Sequence, residues 1–483
     1  MKKWNRLLAL ALCAATFPGL LAGCGMDAGA PKDPVAVTVW HYYNGSQQEI
    51  FNGLVDEFNQ SVGAEKGIVV SSKSYGTIDE LTGNVVDAVN GKVGAEETPD
   101  VFAAYADTAY EIHKKGMAVN LAEYLTEEEQ QAYIPAYLDE GRFGGEGFRI
   151  FPVAKSVELL MLNQTIWDSF SAATGVTEAG LATWEGIADV AEQYYEWTDS
   201  LTPEVQNDGK AFFGRDAFAN YMVIGTRQLG HELFQVQDGA VTLNLEKDTL
   251  RRLWDNYYTP YISGYYASYG KFRSDDLRTG DIAAFVGSTS GATYFPKEVT
   301  MADGTTYPIE GKVYTLPNFE GTEPVGVQQG AGMVVIKSNP ERERAAVEFL
   351  KWFTAPEQNL RFSGASGYLP VTTAANTEEA VLKNFSASGA EVPPVLQESL
   401  KLGVALYKTY ALYTTPPFEN AYAARGVANR SMEQKAMEDR VTVQGHLAEG
   451  MTLADAVAAV NTDANFDVWR ADFQTALEEA LAG

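Results

Sequence analysis

The sequence predicts an α/β fold arranged in two lobes, on three observations. Strand and helix patterns alternate as far as Gly116, the alternation resumes after Phe151 and again after Gly332, and a body of about 450 residues is more than one hydrophobic core serves. Val35 to Trp40 alternates and is rich in valine, a strand signal. Ser46-Gln47-Gln48-Glu49 reads as a capping box that opens a helix with Ile50, Phe51, Leu54, Val55 and Phe58 on one apolar face. Ile68 to Ser72 is the second strand. Thr77-Ile78-Asp79-Glu80 is a second capping box, ahead of Leu81, Val85 and Val89 on one side of a helix. Asp100 to Tyr105 reads as a buried strand, followed by a helix that Gly116 stops. Met333-Val334-Val335-Ile336-Lys337 is a further strand and leads into a helix from about Glu341 to Phe353. Residues 373–483 read as mainly helical, and the chain shows no internal repeat or low-complexity tract.

The first 24 residues point to export. Lys2, Lys3 and Arg6 precede an apolar run from Leu7 to Leu21, too short for a comfortable membrane span, and Leu21-Ala22-Gly23-Cys24 follows. This ending resembles the lipobox of bacterial lipoproteins. The resemblance implies a signal peptide at 1–23 and a Cys24 whose thiol takes the lipid. Cys13 falls in the leader, so a disulfide is not expected in the mature chain. Residues 25–34 are small and rich in Gly and Pro, a flexible tether before a body that starts near Val35. Hydrophobic residues make up 46% and aromatic residues 12% of the chain. The net charge is -28, which argues against nucleic acid and anionic lipid surfaces as partners and requires local donors for any anionic ligand.

Catalytic motifs are mostly missing. Gly287-Ser288-Thr289-Ser290-Gly291 has the outline of a nucleophile elbow with Thr289 at its centre, His231-Glu232 lacks the second histidine of a zinc helix, and there is no phosphate-binding loop. Four scattered histidines make a histidine-based metal site improbable, and neither metal nor cofactor is expected. With 64 acidic residues, a carboxylate pair of the glycosidase kind stays open.

Several stretches carry a family resemblance in order along the chain: Trp40-His41, Pro99-Asp100-Val101-Phe102, Thr183-Trp184-Glu185, Gly280-Asp281-Ile282-Ala283-Ala284, and Ser366-Gly367-Tyr368-Leu369-Pro370-Val371-Thr372-Thr373. Together they resemble family 1 extracellular solute-binding proteins of ABC importers. The resemblance implies a periplasmic-binding-protein-like fold of type II with discontinuous lobes, 35–152 with 327–372 and 153–326 with 373–483, joined by a hinge. It also implies a monomer that catalyses no reaction and works with ABC permease subunits. Within the family the chain is most similar to glycerol-3-phosphate-binding members. Carried over residue by residue, their pocket falls on Ser156, Ser288, Gly330, Tyr368 and Arg425, with Asn420 in register five residues before the arginine. Their acidic residue falls on Ala106 with Asp107 beside it, and their other tyrosine falls near Thr77, with Tyr75 two residues away. Lys155 adds a second cation next to Ser156.

Hydroxyls, a backbone N–H and a guanidinium suit a phosphate, so the expected ligand is glycerol 3-phosphate or a related phosphorylated polyol or sugar. The alternative within the class is a neutral oligosaccharide stacked on Trp40, Trp184 and Tyr368. From other classes, a glycoside hydrolase and a polysaccharide-binding surface adhesin remain. Thr77 reads most simply as a helix cap, while Trp184 reads equally as a staple at a helix start and Gly330 as a turn residue. The tyrosine-rich stretch from Tyr257 to Tyr269 reads as core and lobe surface rather than as a sugar platform.

Overall fold

The computed structural model describes residues 33–237, 239–388 and 391–483. The leader at 1–23, Cys24 and the tether as far as residue 32 lie outside the described residues. Among those described, no helix is long and apolar enough to cross a membrane.

The first lobe is built on a four-stranded sheet in the order Gly332–Val335, Val101–Ala104, Val35–His41, Ile68–Ser74. The three strands from the start of the chain run parallel, with Val37 opposite Val70 and Val39 opposite Val101. The fourth strand runs antiparallel and sets Val334 against Phe102. Parallel strands require crossovers, and the helices Gly45–Gln60 and Ile78–Val89 supply them. All four residues of Val101–Ala104 are buried, as expected of a strand covered on both faces. Asp100 ties the strand ends together: its carboxylate accepts the Thr38 N–H at 2.8 Å and pairs with Arg342 at 2.9 Å.

The two predicted caps have different outcomes. Thr77 caps Ile78–Val89, its Oγ1 accepting the Glu80 N–H at 3.2 Å. The capping box at Ser46 does not form, because the helix begins at Gly45, two residues before the expected start at Gln47, with a φ of +51° that suits glycine. Asn44 is the N-cap there; its amide donates to the Gly76 carbonyl and its carbonyl oxygen accepts from Tyr294.

The second lobe carries a sheet in the order Gly311–Thr315, Glu158–Asn163, Ala284–Ser288, Phe213–Arg215. Every residue of Glu158–Asn163 is buried. Helices Lys247–Ser263, Ala421–Ala448 and Asp463–Ala482 pack together beside it. Tyr257, Tyr258, Tyr261 and Tyr266 lie inside this packing, while Tyr269 is 73% exposed. The region from 373 onward is mostly helical but includes the strand Ala411–Tyr413, which pairs with Val325–Val327.

One apolar cluster surrounds the first sheet and draws on Val37 to Ala154 and Ala331 to Val371. The other two draw on residues from Val157 to Leu406 and from Leu160 to Leu477. The chain therefore crosses between them three times, and the crossings lie side by side: Lys155 bridges to Leu369, and Ser156 to Gln329. Gly330 makes this approach possible. Its φ is +96°, and a Cβ there would stand 2.6 Å from the Ala154 carbonyl oxygen.

Candidate ligand-binding site

A cavity of about 510 Å³ opens where the carboxyl end of the first sheet faces the start of helix Ala421–Ala448. Clefts beyond the carboxyl ends of parallel strands are the usual ligand positions of such sheets. Strand Val101–Ala104 delivers Tyr105, Ala106 and Asp107 to the wall, and the first turn of Ile78–Val89 delivers Asp79. Opposite them stand Tyr422, Arg425, Gly426 and Asn429, whose spacing of three, four and seven puts them on one helix face. The Val327–Gln329 crossing closes the back, with Glu140 and Asn220 beside it; Phe234 and Phe418, with ring centroids 5.3 Å apart, add apolar surface.

The charges on this wall are almost all tied down. Glu140 pairs with Lys155, both nearly inaccessible, and also accepts from Gln328 Nε2 at 2.9 Å; Lys155 donates further to the Gly330 carbonyl at 2.9 Å. Arg425 Nη2 donates to the Asn220 carbonyl oxygen at 2.6 Å. Asn220 Nδ2 donates to Glu158 at 2.7 Å and to Gln329 at 3.1 Å, and Glu158 is in turn paired with Arg215 at 2.9 Å. Asp107 accepts the Thr108 N–H at 2.6 Å, and burial raises its carboxyl above the usual carboxylate range. Burial likewise pushes the Tyr105 phenol up. Two bonds span the lobes at this edge: Tyr422 OH donates to Asp79 at 2.7 Å, and Lys114 pairs with Glu419 at 2.6 Å. The Tyr422 phenol is pushed up, mainly by burial and next by that carboxylate.

Of the residues singled out from the sequence, Asp107 and Arg425 line the cavity. Lys155 lies behind it, its ammonium held by Glu140 and Gly330 rather than offered to a ligand. Ser156 is buried in the crossing and bonds through its backbone to Gln329. Gly330 serves the close approach already described. Ser288 caps the short turn Thr289–Tyr294, its Oγ accepting the Gly291 N–H at 3.2 Å. Tyr368 is buried, with its OH 3.0 Å from that of Tyr42. Trp184 is buried in the second lobe and its Nε1 donates to Gln228 at 3.1 Å; Trp40 is buried in the first, its ring flanked by Lys73. Thr77 is a cap, Tyr75 OH donates to Glu96, and Asn420 donates to the Leu481 carbonyl. The donor set expected for a phosphate is thus dispersed: of Ser156, Ser288, Gly330 and Arg425, only Arg425 is on the wall.

Sequence reasoning missed Tyr105, Asn220, Gln328, Gln329 and Tyr422. Two signals were available: a lone asparagine inside the apolar run Phe218 to Ile224, and the helical spacing of Tyr422, Arg425 and Asn429.

A family model described as bacterial extracellular solute-binding protein matches residues 53–387. No curated protein sequence matches the chain. Among solved structures, the chain is similar to the cyclic α-maltosyl-1,6-maltose binding protein of Arthrobacter globiformis at 19% identity and a TM-score of 0.64, covering 93% of this chain and 99% of that one. UgpB from Mycobacterium tuberculosis, in complex with glycerophosphocholine, aligns at 17% identity and a TM-score of 0.65, with coverage of 93% and 99%. The GacH receptor of Streptomyces glaucescens, solved unliganded and with acarbose, aligns at 14% and 0.63, with coverage of 92% and 98%.

Proposed function

This chain belongs to the bacterial extracellular solute-binding proteins, and from that premise we propose that its ligand is a neutral oligosaccharide or a related polyhydroxylated sugar, captured in the cavity for an ABC importer. The observation that carries the reading is the make-up of the wall. Tyr105 and Tyr422 offer ring surface for sugar faces, while Asp107 and Arg425 offer directional acceptors and donors for hydroxyls. A phosphate dianion fits this wall less well. Asp79 and Asp107 stand on it as like charges, and of the donors expected for a phosphate only Arg425 does. Two of the similar structures are described with saccharide ligands, which agrees with the chemistry argued from the wall.

A second reading, the phosphorylated polyol, is favoured by Arg425 and Arg430, both on the wall, and by the glycerophosphocholine complex of UgpB. Calorimetry with maltotriose, cyclic α-maltosyl-1,6-maltose, acarbose, glycerol 3-phosphate and glycerophosphocholine separates the two. Heat of binding from the phosphorylated compounds alone would overturn the sugar reading. Slow turnover of a bound saccharide would revive a glycoside hydrolase. The lobes 35–152 with 327–372 and 153–326 with 373–483 close on the ligand about the three crossings, and the protein works as a monomer tethered through a lipid on Cys24. Detergent phase partitioning tests the tether: wild-type protein goes to the detergent phase and Cys24→Ser to the aqueous phase.

A further inference from the structure

We infer that Asn220, which no sequence motif marks, is the positioning residue that holds Arg425 and Gln329 ready for ligand. The inference rests on reading the cavity as the ligand site. Asn220 is 1% exposed, and every polar atom of its side chain is engaged: the carbonyl oxygen by Arg425 at 2.6 Å, the amide by Glu158 at 2.7 Å and by Gln329 at 3.1 Å. Only one amide orientation satisfies these partners, because a flip would set the NH2 against a guanidinium and the carbonyl against a carboxylate. Glu158 is itself fixed by Arg215, so the chain of bonds is anchored inside the second lobe. From that anchor Asn220 reaches the ligand-facing cation on one side and the crossing between lobes, where Gln329 bridges to Ser156, on the other.

The neutrality of this partner matters. A guanidinium has five donors and a full charge. A carboxylate at 220 would neutralise Arg425 before any ligand arrived, whereas the amide orients it through one N–H and leaves its charge and its other donors for the cavity. Preorganisation of this kind raises affinity by removing the cost of ordering a long side chain at the moment of binding.

The test uses the full mature chain labelled with 15N-arginine. In ligand-free wild-type protein the Arg425 guanidinium, assigned by its loss in Arg425→Lys, gives separate, slowly exchanging Nη signals; in Asn220→Ala these merge. Unchanged signals overturn the inference. With the panel saccharide that binds wild type most tightly, Asn220→Ala weakens binding at least tenfold, and adding Arg425→Ala to it costs little more than Arg425→Ala alone. Unchanged affinity, or fully additive losses, also overturns it. Asn220→Asp keeps the size and the acceptor, and serves if the alanine variant does not fold. It holds the guanidinium in place yet loses affinity, and wild-type affinity in this variant would refute the neutral-partner argument. If no panel compound binds wild type while the Arg425 signals respond as expected, the ligand reading fails and the positioning role stands.

Discussion

His41 and Lys155 show what burial demands of single charged groups. His41 is fully buried at the end of the first strand; its Nδ1 accepts the Tyr43 N–H at 3.2 Å and its Nε2 has no partner. Burial lowers its pKa from 6.5 to about 4. The unfolded chain therefore binds the proton more readily. The stability this group contributes is complete above pH 6.5 and falls away as the pH drops towards 4, by about 3 kcal/mol at about 1.4 kcal/mol per pH unit. Urea denaturation at pH 7 and at pH 4.5 should show this loss in wild type and a smaller one in His41→Phe. Equal losses would assign the acid sensitivity to other groups. Lys155 presents the opposite problem, a charge kept inside only because Glu140 is there. Lys155→Met leaves Glu140 without its cation and should cost about 3–5 kcal/mol. Adding Glu140→Leu should recover most of that loss, and no recovery would mean that Lys155 matters chiefly through its bond to Gly330.

Elements were legible from the sequence wherever periodicity decides them. The alternating valines of Val35–His41 and the apolar run of Val101–Ala104 both become strands of one sheet, the first partly and the second wholly buried, as their patterns require. The box at Ser46 failed because a glycine just before it takes a positive φ and starts the helix early. The site was less legible, for a physical reason: it is assembled from an element end, a helix face and a crossing that only tertiary packing brings together. Arg425 reached the candidate set through resemblance, and Asn220 had no periodic signal at all. Aromatic residues misled most. Trp184 and Trp40 look like sugar platforms in the sequence, yet both are buried, and Trp184 donates its N–H to Gln228 inside the core. The crossing element yields its own prediction. Gly330→Ala combines a strained φ of +96° with a Cβ 2.6 Å from a backbone oxygen, so the crossings must separate. The melting temperature should fall by several degrees, and affinity should drop as Gln329 moves. An unchanged melting temperature would show that the backbone relaxes freely there.

At the scale of the whole molecule, bonds between the lobes accompany those that shape the cavity. Tyr422 to Asp79, Lys114 to Glu419 and Tyr294 to Asn44 each join residues from opposite sides. Under the proposed closure, such bonds favour the closed arrangement without ligand, and binding competence then scales with the fraction of molecules closed. Tyr422→Phe removes one of them while keeping its ring, so ligand-free protein should expand in small-angle scattering and affinity should fall a few-fold. An unchanged radius of gyration would show that the bond forms only after closure. The triple crossing has a further consequence, for synthesis rather than binding. Strand Gly332–Val335 pairs with Val101–Ala104, so the first sheet lacks this edge partner until a stretch of chain beyond the strands of the second sheet has joined it. A nascent chain stalled before residue 332 carries an open, fully apolar strand edge. Until strand Gly332–Val335 joins the sheet, that edge is the part of the folding chain most open to pairing with a neighbouring chain.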